Sequence, residues 1–91
     1  MIRMSLAQPL GYVQITLSAL SGLNPPAQST MALISCSVAS IRWRDDGVNP
    51  TASVGMPMNP GQEFQYSGDM NAIKFIAQSG TPVLDISFYR A

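Results

Sequence analysis

The chain has 91 residues, with five basic and five acidic side chains, no histidine and one cysteine. That length suits one domain, and zero net charge leaves no basic patch to neutralise phosphates, so nucleic-acid binding has no support. The commonest general base and metal ligand is missing, and Cys36 alone can neither close an internal disulfide nor build a metal site.

Hydrophobic residues make up 46% of the chain, an ordinary share, but charged residues only 11%, well under the usual quarter. Two readings stay open. Ser, Thr, Asn and Gln can cover the outside of a tightly folded β domain. Alternatively, copies of the chain or a partner cover much of the surface, since low charge marks interface cores. A domain this small buries only about 60–65% of its unfolded surface. With disulfide and zinc both excluded, oligomerisation is the remaining common device for stabilising it.

Residues 1–10 show no clear period and contain Pro9; they read as an N-terminal arm, with 11–91 as the single folded domain. Arg3 followed by an apolar region imitates a signal peptide. However, Gln14, Thr16 and Ser18 alternate there with Val13, Ile15, Leu17 and Ala19, which is the period of a half-buried strand. No segment reaches the roughly 18 unbroken apolar residues of a membrane helix, so no membrane partner is expected. Leu33-Ile34-Ser35-Cys36 resembles a lipoprotein cleavage box, but the polar Asn24–Thr30 stretch stands where its apolar region belongs.

Ala32, Ile34, Cys36 and Val38 fall on one face of the next strand, which makes Cys36 a small core residue. At Ile41 and Trp43 the apolar phase shifts by one, so a turn or bulge near Val38-Ala39-Ser40 must separate two strands. Asp45-Asp46-Gly47 and Asn49-Pro50 form a loop, and Thr51–Val54 reads as a short strand. The Gly55–Gly61 stretch reads as irregular because of its Pro and Gly content. Its Met56 and Met58 are apolar residues in a segment expected to be exposed or at an edge. Glu63–Tyr66, Ile73–Ala77 and Val83–Tyr89 read as strands, the last with Leu84, Ile86 and Phe88 on one face. At most one helical turn fits, near Asp69–Ala72. The sum is an all-β fold of about six to eight short antiparallel strands, a sandwich or jelly-roll-like barrel. Its expected core holds Ile15, Leu17, Ile34, Cys36, Trp43, Phe75, Leu84, Ile86 and Phe88.

No catalytic, cofactor-binding or metal-ligating residue is assigned, and no enzyme is expected. Asp45 and Asp46 are adjacent acids in a turn, where neighbouring side chains diverge. A glycosidase pair or a spaced calcium ligand set is not visible. Arg42-Trp43-Arg44 is the most distinctive local feature. On a strand, Trp43 points one way and both arginines the other. Trp in the core with Arg paired to nearby Asp is one reading. An interface using Arg against carboxylates is the other. The candidate contact residues are Arg42, Arg44, Met56, Met58 and Arg3. A sugar platform would have to draw on Trp43, Tyr12, Tyr66 and Tyr89, which show no clustering in sequence.

The stretch Ile41-Arg42-Trp43-Arg44-Asp45-Asp46-Gly47 is followed by Pro50-Thr51-Ala52 and Gly55-Met56-Pro57. Phe64-Gln65-Tyr66-Ser67-Gly68-Asp69 and Ile73-Lys74-Phe75-Ile76 come next. Together these resemble a group of small proteins encoded among the structural genes of tailed bacteriophages, over about residues 31–89. The resemblance implies a virion component made in the bacterial host cytoplasm, a capsid decoration or cement protein. It implies contacts with the major capsid protein or other virion proteins and a homo-oligomer, with a trimer favoured. A head-fibre or tail module recognising a host surface glycan is the alternative it leaves.

Overall fold

The structure, a computed structural model, describes residues 7–91. Seven strands form in chain order: β1 (Gln8–Thr16), β2 (Met31–Ser37), β3 (Ile41–Arg44), β4 (Met56–Met58), β5 (Glu63–Tyr66), β6 (Lys74–Ala77) and β7 (Val83–Arg90). They build a four-stranded sheet ordered β1-β7-β2-β5 and a three-stranded sheet ordered β4-β3-β6. Every pairing is antiparallel, and the fold is a small β-sandwich. No helix occurs among the described residues. At Asp69 the carboxylate accepts from the Asn71 amide at 2.9 Å and the carbonyl from the Ala72 amide at 3.0 Å, which makes a turn there.

Alternation sets the inner faces. In β7, Leu84, Ile86 and Phe88 are buried, and their partners Cys36, Ile34 and Ala32 in β2 are buried with them. Ile41, Met58 and Phe75 come up from the second sheet. Leu17 and Leu23 fill the core from the long β1–β2 connection, and Ile73 from just before β6. Ile15 and Trp43 are only partly buried, packed against this cluster. Fully burying an aliphatic or aromatic side chain contributes about 1.5–3 kcal/mol, so the shared inner face carries the fold.

Three segments depart from the alternation pattern. Gln8–Leu10 belong to β1 and pair with β7 from Gln8↔Arg90 onward, with a register shift between Pro9 and Gly11. The proposed arm is therefore at least three residues too long, and Arg3 lies outside the described residues. The Gly55–Gly61 stretch does hold a strand: Met56–Met58 pair with Trp43, Arg42 and Ile41. Pro57 is tolerated because β4 is an edge strand, where one side of the backbone needs no ladder partner. Met58 is only 4% exposed and sits in the core, which corrects its place among the contact residues. Thr51–Val54 is a turn, not a strand: the Thr51 hydroxyl accepts from the Ser53 and Val54 amides.

The phase change between β2 and β3 has a local cause. The Ala39 amide donates to the Ser37 carbonyl at 2.9 Å, and Val38 between them has φ 75°. This is a γ-turn of the positive-φ kind, which is rare and strained. It lifts Val38 out of the core face assigned to it, to 73% exposure, and sends the chain from one sheet to the other. The buried Cys36 thiol donates to the Ala39 carbonyl at 3.1 Å and ties the turn down.

The β1–β2 connection also joins the layers. Leu17 donates to the Pro82 carbonyl at 2.8 Å, and Ser21 and Phe75 exchange two backbone bonds of 2.9 and 2.8 Å. That bridge covers the free edge of β6. The chain then returns to the first sheet, where Thr30 donates to the Tyr89 carbonyl.

The Val38 turn yields a prediction. A β-branched residue at positive φ costs of order 1–3 kcal/mol, and glycine's extra unfolded freedom costs about 0.5–1 kcal/mol. Because its side chain packs little, Val38→Gly should raise the unfolding free energy by about 1 kcal/mol, read from urea denaturation. A loss of stability would show that the turn is not strained.

Candidate functional site

The β3–β4 hairpin carries a surface groove of about 390 Å³ lined by Trp43, Arg44, Asp45, Asp46, Val54, Gly55 and Met56. Register places Trp43 opposite Met56 on the inner side of the second sheet, next to Phe75 on β6. β4 is the edge strand there, so Met56 is left 56% exposed, and Val54 just before it 51%. The hairpin therefore opens the sandwich at this corner and shows apolar side chains to solvent.

Trp43, the aromatic residue that lines the groove, belongs to a three-ring cluster behind it. Trp43 stacks on Phe64 of β5 at 5.3 Å between centroids and 13° between planes. Tyr66 meets both rings edge-on, at 6.2 and 6.3 Å. Such pairs contribute about 0.5–1.5 kcal/mol beyond the area they bury. One face of Trp43 is thus committed to Phe64, and the stack ties the two sheets together at the corner.

The polar walls are held from within. Arg44 grips Asp46 with two parallel bonds, Nε to Oδ1 at 2.9 Å and Nη2 to Oδ2 at 2.5 Å. This hydrogen-bonded arginine holds the Asp46 carboxyl below its usual range. Asp45 turns the other way and accepts from the Tyr66 hydroxyl at 2.8 Å. The neighbouring acids therefore diverge, one to the arginine and one to the phenol. Arg42 donates to Gln78 Oε1 at 3.1 Å and to the Gly55 carbonyl at 3.0 Å. Gly55 has φ 146°, and a Cβ there would lie 3.1 Å from the Trp43 carbonyl. Only glycine lets the loop come this close to β3.

Of the residues singled out in the sequence, Arg44 and Met56 line the groove with Trp43. Arg42 points from the outer side of the same sheet, in register with Pro57 and Ile76. Both arginines use their donors on the chain itself, as the reading with Arg paired to nearby Asp supposed for Arg44. Val54 was missed because Thr51–Val54 read as a strand. Among the described residues, no three His, Cys, Asp or Glu side chains lie together as a metal-binding group.

A second cluster joins residues far apart in sequence. On the outer face of the four-stranded sheet, the Tyr12 hydroxyl donates to Asp85 Oδ1 at 2.6 Å and Gln14 Nε2 donates to the same oxygen at 2.9 Å. These bonds hold the Asp85 carboxyl below its ordinary range, and the bond to Asp85 raises the Tyr12 phenol. Tyr12 is 62% exposed, and Tyr89 shares its face across the β1–β7 ladder. Sequence spacing carried no sign of this grouping, because it depends on β1 pairing with the last strand.

No protein-family pattern matches this chain, and no curated protein or solved structure matches it.

The Tyr66 hydroxyl has a measurable consequence. Burial, then the Asp45 hydrogen bond and charge, push the phenol well above its usual value. A folded state that holds the proton more tightly gains stability that is full below about pH 10, the unfolded value, and is lost as pH rises beyond it. Tyr66→Phe should cost about 1 kcal/mol near neutral pH for the lost hydrogen bond. It should also flatten the fall in stability above about pH 10 relative to wild type. Parallel alkaline stability curves for the two proteins would refute this.

Proposed function

We propose that the chain is a structural protein of a tailed-phage virion. In this reading it is a capsid decoration or cement component that works through contacts with the major capsid protein or other virion proteins. The observation that carries the reading is the hairpin groove. Trp43, Met56 and Val54 offer apolar surface at an open corner of the sandwich, beside an Arg44–Asp46 pair fixed in place. Trp and Arg dominate binding energy at protein interfaces, and Met is enriched there. Few charges elsewhere and the resemblance of residues 31–89 to phage structural proteins support the same reading.

A glycan-binding fibre or tail module is the second reading, and Tyr12 favours it. Its ring is exposed and its hydroxyl is anchored on Asp85, an arrangement suited to stacking on a sugar face.

Mass spectrometry of purified particles from the phage that encodes the chain separates these readings. Hundreds of copies per particle support decoration, a handful supports a tail or fibre part, and absence from the particle overturns both. The double variant Val54→Asp, Met56→Glu alters only exposed side chains and should fold. We expect its incorporation to fall by roughly tenfold or more, the loss of a central apolar contact. Incorporation at the wild-type level would remove the groove from the proposal. In the glycan reading, Tyr12→Ala abolishes binding to host surface polysaccharide while leaving the groove intact.

A further inference from the structure

A β-sandwich of two open sheets has four edge strands, and an edge presents unpaired N–H and C=O groups that invite another strand. In this fold three edges are closed or unsuited to pairing. The two-way bonds from Ser21 to Phe75 cover β6. β4 has only three residues and a central proline. β5 has four residues and begins at the charged Glu63.

β1 differs from all three. It has nine residues, Gln8–Thr16, and carries no charged side chain. Pro9 and the register shift before Gly11 disturb only its first part, and Pro26 approaches Gly11 at that same end. From Tyr12 to Thr16 the register with β7 is regular. No strand among the described residues pairs with the other side of this segment. Among the described residues, no backbone hydrogen bond outside the strand ladders reaches these five residues either.

We propose that this edge is a self-association surface. Two copies pair their β1 strands antiparallel about a two-fold axis at Gln14, giving one continuous sheet of order β5-β2-β7-β1-β1-β7-β2-β5.

The sequence of the edge commits it to a second copy. Tyr12, Gln14 and Thr16 face outward with Asp85, while Val13 and Ile15 face the core side. A two-fold axis at Gln14 sets Val13 opposite the other copy's Ile15, Tyr12 opposite Thr16, and Gln14 opposite itself. Every facing pair then matches apolar with apolar or polar with polar, and both layers continue across the junction. β-Branched cross-strand pairs of this kind are favourable. Val13 and Ile15 are only partly buried in the single chain, and the pairing would cover them. The absence of charge means that like meets like without repulsion, which for most edge strands is the barrier. A two-fold contact is also self-limiting, because it uses up both edges and leaves no open end. The inference stands apart from the virion reading, since it needs no partner other than the chain itself.

The test is sedimentation and spin-label distance measurement on the purified full chain. At about 100 µM, a concentration that shows micromolar association, the wild type should sediment at twice the chain mass. A spin label at Gln14→Cys in a Cys36→Ser background should give one short distance. Backbones there are about 5 Å apart, whereas labels at Gln65→Cys on β5 should lie seven strand spacings apart, about 30–35 Å. The double variant Gln14→Lys, Thr16→Lys places ammonium groups on exposed edge positions and gives up only the exposed Gln14–Asp85 bond, so each chain should still fold, with a cooperative thermal transition whose midpoint, unlike that of the wild type, does not rise with protein concentration. Its dimerisation constant should weaken roughly tenfold or more, while Gln65→Lys leaves the dimer intact. A wild type that is monomeric at that concentration, or that sediments at three times the chain mass, overturns the proposal. So does a double-lysine variant that dimerises as the wild type does, or a label distance that is short at Gln65 and long at Gln14.

Discussion

Between Cys36 and Ile41 the inward face passes from even to odd positions, and the chain makes that change in one tight turn at Val38. Much of the architecture follows from it. A strand that kept its phase would have run on in the same sheet. Here the phase breaks at a tight turn rather than at a bulge within the ladder, so the chain leaves the first layer and β3 begins the second. The turn holds because the Cys36 thiol donates to the Ala39 carbonyl from inside the core. Strain at Val38 is outweighed by the burial it allows, of Cys36 on one layer and Ile41 on the other, both nearly inaccessible to solvent.

Once β3 stands in the second sheet, the corner at β4 and β5 follows from strand count. Three strands face four, and the β4 edge is only three residues long. Trp43 reaches past it to stack on Phe64 of the first sheet, and Tyr66 closes the group with its hydroxyl on Asp45. This aromatic clasp takes the place of the disulfide or metal that domains of this size commonly use. It also explains why the groove exists. The clasp holds the base of the hairpin, while Met56 and Val54 lie beyond it and are left exposed by the described residues.

Charge is used sparingly and mostly inside the chain. The Arg44–Asp46 fork braces the hairpin, Asp45 serves the tyrosine, and Arg90 reaches Gln8 and Gln28 to gather the chain ends. No buried side-chain polar atom among the described residues lacks a partner. With so few charges left over, the surfaces that face water are apolar or amide-rich, and the long uncharged edge at β1 is the clearest of them.

Much of the strand set was legible from residue order, since burial on one side of a sheet imposes a period of two. Leu84, Ile86 and Phe88, Ile34 and Cys36, and Ile73 and Phe75 could be assigned inward on that basis alone. So could the need for a break before Ile41. Where proline and glycine interrupted the period, it misled. Met56–Met58 is a strand because an edge can hold Pro57, and Met58 is core because β3 aligns it with Ile41. Val38 and Ala19 lie in phase with inward residues, yet both are exposed because their strands have already ended. By itself the sequence determined a small, charge-poor, all-β chain without histidine chemistry, with its inner faces largely assigned. Only the tertiary structure decided which strands are neighbours. That pairing makes an edge of β1, sets Tyr12 on Asp85 across 73 positions, and opens the groove at Met56. The physical reason is that alternation specifies which way a side chain points, whereas strand order depends on contacts between distant segments that no local pattern encodes.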